Sequence, residues 1–244
     1  PGWQLLSLFK PVTSSSTLSW QYRDSYAVDE DISTWWSATG DAGEWLAVDA
    51  GSMVTIHAVQ INFADQDAVA QGRLDDAYRY YCETSEDGRV WRLVEELDRR
   101  HNDRDSSQDY TELTAPIVSR HFRITSTCVP GGARFSLSGL RLFGFGQGQL
   151  PPAVSAPLVA RDPTDRRVAR VSWSPSAGAQ YHVVRWGLQG GPLFQNLQVY
   201  GTGGTSAPST QVVIESLSTD MTYNFVVDAV NEAGLTRGTG VAAA

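Results

Sequence analysis

The chain has 244 residues, 41% of them hydrophobic and 19% charged, enough to bury one large or two ordinary cores, and two domains are expected. A formal net charge of −8 without any Lys/Arg run argues against nucleic acid or an anionic membrane, which are held by neutralising phosphate, and leaves neutral or basic partners open. No stretch of about eighteen apolar residues occurs, so no membrane span is expected, and Pro1-Gly2-Trp3 is neither an initiator Met nor a signal peptide, so the start reads as that of an excised fragment. The first informative segment is Tyr26 to Trp36, YAVDEDISTWW, an acidic loop that leads on to the half-buried strand Glu44-Trp45-Leu46-Ala47-Val48-Asp49. Its carbonyls, Asp29, Asp31 and the Thr34 hydroxyl are spaced closely enough to wrap one hard cation. The competing reading is that Asp29 and Asp31 accept backbone N–H groups and close the loop by hydrogen bonds alone.

Further along, Val59, Ile61 and Phe63 share one face, as do Phe122 with Ile124 and Leu140 with Leu142, with Gly, Asp and Asn between the runs. Period two with such breaks predicts antiparallel strands and under a tenth helix. Cys82 keeps step with Tyr80 and Thr84, and Cys128 with Phe122 and Ile124, so regular alternation sends both inward, as a bridged cross-strand pair or as two buried thiols. Two cysteines are too few for a disulfide scaffold and match no zinc-ligand spacing. Gly144 to Pro157 has linker composition and divides the chain into expected domains of 1–148 and 149–244. Beyond it, Val168–Trp173, Tyr181–Trp186, Gln211–Ile214 and Tyr223–Val230 alternate again, so the second half is also expected to be a β-sandwich.

Catalytic signals are sparse. The four histidines, His57, His101, His121 and His182, stand singly with no Ser or Cys motif beside them. The acidic pairs Asp75-Asp76 and Glu95-Glu96 offer two carboxylates each, but adjacent side chains point apart and read as solvated edges. Gly144-Phe-Gly146-Gln-Gly148 precedes a Pro-rich linker rather than a helix, which removes the dipole a phosphate needs.

The Tyr26–Trp36 loop, together with His57–Phe63, Thr84–Gly88 with Trp91, Ser119–Ile124 and Ser138–Gly144, resembles the discoidin-like domains, or coagulation factor V/VIII C-type domains, which include the family 32 carbohydrate-binding modules. The resemblance covers roughly the first three fifths of the chain and implies a jelly-roll β-sandwich. NFADQD and FSLSGLRLFG resemble the region that follows the catalytic domain in some bacterial family 43 glycoside hydrolases, which implies an extracellular or periplasmic accessory region without an active site. The second half resembles a fibronectin type III domain, with Trp173 as its core tryptophan and Leu217 and Tyr223 in the pattern of a tyrosine corner. For the acidic loop, the resemblance implies structural calcium held by the Tyr26 and Asp31 carbonyls, the Asp29 carboxylate, and Thr34 through carbonyl and hydroxyl. Where many relatives have Ala-Glu to close the site, this chain has Ser138-Gly139, so one carboxylate is missing and only a carbonyl, at Ser138, remains.

Sugar recognition needs an aromatic face and a few hydrogen-bonding groups, which a jelly roll supplies from loops at one end. Those loops carry Trp20, Tyr22 and Arg23; Asp65, Gln66, Asp67 and Arg73; His101, Asn102 and Arg104; and the turn from Pro130 to Phe135. Trp20 and Phe135 are the expected stacking platforms with Tyr22 beside them, and Asp65, Asn102 and Arg104 the hydroxyl partners, while Trp35, Trp45 and Trp91 are expected in the core. The function expected is non-catalytic binding of plant cell-wall polysaccharide that keeps an attached glycosidase near its substrate. The alternative is a structural region that packs on the catalytic domain and shapes its cleft without binding glycan.

Overall fold

The computed structural model describes residues 2–68, 77–104, 106–200 and 209–244, and the chain divides into two compact units, Trp3–Gln147 and Gly148–Ala244. The first unit contains β1 (Gln4–Leu5), β2 (Val12–Ser14), β3 (Trp36–Ser37), β4 (Trp45–Phe63), β5 (Arg79–Ser85), β6 (Arg92–Leu93), β7 (Gln108–Cys128) and β8 (Ser136–Gly146). The hydrogen-bonded order is β1-β8-β4-β7-β5-β6, with β2 paired to β4 and β3 to β8. β4 and β7 run for 19 and 21 residues. Register shifts between Asp49 and Val54 and between Ile56 and Ala58 interrupt their pairing, and such bulges are how a long strand turns from one layer of a sandwich into the other. Gly51, at the first shift, has φ of 84°, a conformation that glycine adopts without a Cβ clash.

The alternation read from sequence is what fills the core. Val59, Ile61, Phe63, Phe122, Ile124, Leu140 and Leu142 are all buried together with Leu6, Trp36, Ile56, Phe135 and Leu137. Among the described residues helix is confined to short 3-10 turns, as the period-two pattern requires.

The cysteines depart from expectation. Cys82 is buried and opposite Ile124, whereas Cys128 is half-buried and opposite Arg79, beyond a register shift between Arg79 and Tyr80. The extra residue there, Thr127, breaks the two-residue period, so the two thiols are not neighbours and both are free.

In the second unit, β9 (Leu158–Arg161), β10 (Ala169–Ser172) and β13 (Gln211–Ile214) form a three-stranded sheet ordered β13-β10-β9. A five-stranded sheet contains β11 (Tyr181–Leu188), β12 (Gln195–Val199), β14 (Tyr223–Asn231), β15 (Gly234–Thr236) and β16 (Ala242–Ala243), in the order β12-β11-β14-β15 with β16 beside β14. Val171, Trp173, Val184, Tyr223, Phe225 and Val227 form its core, with Trp186 packed against it. The Tyr223 hydroxyl accepts the Ser218 N–H at 3.2 Å, which ties β14 to the turn that precedes it.

Candidate functional site

Ser19 starts a 3-10 turn, Trp20–Tyr22, by accepting the Gln21 N–H on its side chain, a short polar cap that satisfies a donor the turn leaves unpaired. The turn leaves Trp20 77% exposed. Tyr22, two residues on, folds back so that its ring lies 5.3 Å from that of Trp35 at a tilt of 39°. Trp35 and Trp36 are adjacent and therefore face opposite ways. Trp36 is fully buried, donates its indole N–H to the Ser16 carbonyl at 3.1 Å and meets Phe135 edge-on at 5.5 Å. Trp35 is half-buried and donates its indole N–H to Gln66 Oε1 at 2.9 Å.

That bond begins a polar chain. Gln66 Nε2 donates to Asp67 Oδ1 at 2.7 Å, and Arg134 Nε donates to Asp67 Oδ2 at 2.6 Å. The backbone repeats the link, since the Arg134 N–H donates to the Gln66 carbonyl at 2.8 Å and the Gln66 N–H to Ser136 Oγ at 3.2 Å. Asp65 and Asp67 sit in the left-handed region with φ of 50° and 60°, which aspartate tolerates better than bulkier residues. The Arg134 guanidinium, then the Gln66 amide, hold the Asp67 carboxyl below its usual range, so at neutral pH it is an ionised acceptor. Asp65 accepts the Tyr78 hydroxyl, and the Tyr78 ring stacks on Phe63. One end of the sandwich thus presents a half-exposed aromatic pair beside donors and acceptors whose positions are set by one another.

Of the residues expected from sequence, Trp20, Tyr22 and Asp65 lie on this loop system. Asn102 joins it only as scaffold: its amide nitrogen donates to the Tyr78 and Arg104 carbonyls at 3.1 and 2.8 Å and its oxygen accepts the Arg104 N–H at 3.2 Å, so the amide shapes a turn. Arg104 is exposed beside it. Phe135 is not a platform. It is 1% exposed, and its neighbour Arg134 is half-exposed, because neighbours on an extended segment point to opposite sides. Trp35, Trp45 and Trp91, expected in the core, are half-buried and lie outside it. Arg123 lies over the Trp91 ring at 4.1 Å and within 5.8 Å of Trp45, and is bound to Glu83. Arg73 and Asp75-Asp76 fall outside the described residues. The Glu96 carboxylate accepts from the Thr114 N–H and hydroxyl, a structural use. His57, His121 and His182 each pack against a different tryptophan, Trp3, Trp91 and Trp173, and form no cluster.

The donor atoms of the acidic loop are held by one another. Asp29 Oδ1 accepts the Asp31 N–H and Oδ2 the Thr34 hydroxyl, both at 2.9 Å. The Asp31 carbonyl accepts the Thr34 N–H at 3.2 Å and lies at the same distance from the Thr34 hydroxyl oxygen. The Asp31 carboxylate accepts the Ser33 N–H and hydroxyl, and the hydroxyl bond above all lowers its pKa. The side chains of Tyr26 and Ser138, as distinct from the carbonyls expected to ligate there, are used elsewhere: the Tyr26 hydroxyl accepts from Arg23 at 2.6 Å, and the Ser138 hydroxyl faces the Asn62 and Phe63 carbonyls at 3.5 Å. Among the described residues no three His, Cys, Asp or Glu side chains converge as metal ligands do. Of the donors expected for calcium, the Asp29 carboxylate and the Asp31 carbonyl are engaged with N–H and O–H groups of the loop itself, and in this arrangement those two do not fit the ion.

The F5/8 type C domain family matches residues 11–138, more than half of the chain. No curated protein matches it. Among solved structures it is similar to chitosan-binding module 1 from a chitosanase/glucanase of Paenibacillus sp. IK-5, at 23% identity over 58% of this chain and 99% of that one, with a TM-score of 0.48. Module 2 of the same enzyme, solved in complex with chitotriose, gives 22% identity over 57% and 99%, and a TM-score of 0.48. A fucose binding module of Streptococcus pneumoniae gives 19% identity over 58% and 95%, and a TM-score of 0.43.

Proposed function

This chain belongs to the F5/8 type C domain family, and we propose that its first unit is a non-catalytic carbohydrate-binding module. The observation that supports this is the Tyr22–Trp35 pair, left half-exposed while its indole N–H is bound through Gln66 to Asp67 and Arg134. Aromatic rings fixed in this way offer a flat face to the apolar side of a pyranose. The Asp67 carboxylate and the Arg134 guanidinium, an ionised acceptor and a donor, stand beside them for its hydroxyls. Trp20, one turn away, extends the aromatic surface.

The ligand in this reading is plant cell-wall polysaccharide, and the setting is a secreted bacterial glycoside hydrolase of the kind the sequence resembles. A shallow site of this size binds on the order of millimolar to tens of micromolar, because few apolar contacts offset the lost motion of a flexible glycan. Attachment to a catalytic domain then supplies the benefit through local concentration. The second unit serves as a fibronectin type III-like spacer without a ligand of its own. Calorimetry and a glycan array on the whole chain, with Trp35→Ala beside it, test the proposal. Binding to a plant polysaccharide that Trp35→Ala abolishes is the expected result, and binding unchanged in that variant refutes the site.

A second reading is favoured by a different surface. Trp3, 37% exposed, stacks on His57, which meets Phe145 edge-on, and Phe143 lies beside Tyr110, 52% exposed. This outward aromatic strip suits packing against a catalytic domain. A chain that binds no glycan yet associates with such a domain, and loses that association in Trp3→Ala, supports the structural role instead.

A further inference from the structure

We propose that the 29–34 loop is closed by an internal cation, the Arg141 guanidinium, in place of a metal ion, and that this ion pair positions Trp35. Glu30 turns into the left-handed region with φ of 61°, a conformation that costs a residue with a Cβ some strain and needs a compensating contact. The contact is Arg141, on β8, whose Nε donates to both Glu30 carboxylate oxygens at 2.7 and 3.0 Å. The Arg141 side chain is only 16% exposed. With the Asn62 amide oxygen facing it, Nη1 donates to that oxygen at 2.7 Å. A planar guanidinium holding a carboxylate and an amide at once is a directional clamp that a flexible ammonium reproduces poorly.

Gly139 makes room for this group. A Cβ there would lie 3.0 Å from Arg141 Nη1 and 3.2 Å from Cζ, so a side chain at 139 would press the guanidinium out of its present place by a few tenths of an ångström. The position from which the family resemblance expects a carboxylate to close a calcium site is therefore occupied by positive charge. A divalent cation would meet repulsion from Arg141, while the Asp29 and Asp31 carboxylates already hold N–H and O–H donors. Thr34, whose hydroxyl closes the loop on Asp29, directly precedes Trp35, whose indole N–H reaches Gln66. The loop thus sets where that ring stands, and Arg141 is a positioning residue for it.

The positioning half of this inference rests on the carbohydrate reading, and the cation half does not. Thermal melts of the whole chain in millimolar calcium and in chelator are expected to superimpose. Arg141→Met and Glu30→Gln are each expected to lower Tm by roughly 4 °C, a loss that Arg141→Lys recovers only in part. A rise in wild-type Tm on adding calcium, or both Arg141→Met and Glu30→Gln melting with the wild type, overturns the internal cation. Against a plant polysaccharide that the wild type binds, Arg141→Met is expected to weaken affinity several-fold at a temperature where it is fully folded, and unchanged affinity overturns the positioning role. If the wild type binds no glycan, the carbohydrate reading fails and the positioning half with it, while the melts still decide the cation.

Discussion

The two units use their charged side chains in opposite directions. At the loop end of the first, Gln66, Asp67 and Arg134 form a half-exposed chain that holds Trp35 at the surface. In the second, Asp228 is fully buried and accepts from Arg185 at 2.6 and 3.0 Å, from Arg237 at 2.9 Å and from the Gly238 N–H at 3.0 Å. Trp173, Tyr223 and Phe225 of that unit are buried. A charge network centred on a buried carboxylate ties β11 to β14 and spends its groups on the fold. The same chemistry at a surface keeps an aromatic ring in a fixed, accessible pose, and that difference separates a recognition site from a scaffold.

The sharpest way to break the comparison is to exchange neighbours within it. Trp36→Ala and Phe135→Ala, which empty fully buried sites, are each expected to cost about 4 kcal/mol in urea unfolding, whereas Trp35→Ala is expected to cost under about 1 kcal/mol. Equal losses at positions 35 and 36 would erase the distinction between platform and core. Next in size, Asp228→Ala leaves the largely buried Arg185 guanidinium without its partner and is expected to cost about 3 kcal/mol. Burial pushes the Asp228 carboxyl up, but the Arg185 bond, the Gly238 N–H and the nearby arginine charges outweigh it and leave the pKa lowered. Its stabilisation is therefore present above the unfolded value of about 3.9 and fades as pH falls through the lower folded value. Acid titration of wild type and Asp228→Asn is the measurement, and the variant is expected to lose less stability between about pH 5 and pH 2.

Smaller effects sharpen the surface half. Trp35→Ala or Tyr22→Ala is expected to weaken glycan affinity about tenfold or more by calorimetry, near 1.4 kcal/mol. Arg134→Met, which frees the Asp67 carboxylate of its guanidinium partner without removing a ring, is expected to weaken it a few-fold. Smallest is a chemical test of the bulge: in native protein one thiol, Cys128, is expected to react with a soluble thiol reagent. Cys82, whose thiol burial pushes well above its ordinary pKa, is expected to react only on unfolding.

Much of this molecule follows from residue order alone. Period-two alternation is a local property that any half-buried strand must show, so Val59, Ile61, Phe63, Phe122, Ile124, Leu140 and Leu142 declare their burial without a partner in view. The same rule, applied to Trp35-Trp36 and Arg134-Phe135, separates surface from core, since both pairs lie on extended backbone leading into or along strands. Phe135, expected outward as a turn aromatic, and Trp35, expected inward at a strand entrance, are separated from those expectations by the phase of the extended backbone. Tertiary structure decided the rest. The bulge at Thr127 that shifts Cys128, the union of Gln66 with Arg134, and the reach of Arg141 to Glu30 across 111 positions depend on which strands pair and in what register. Register is set by the packing of the whole sandwich, and no local sequence window contains it.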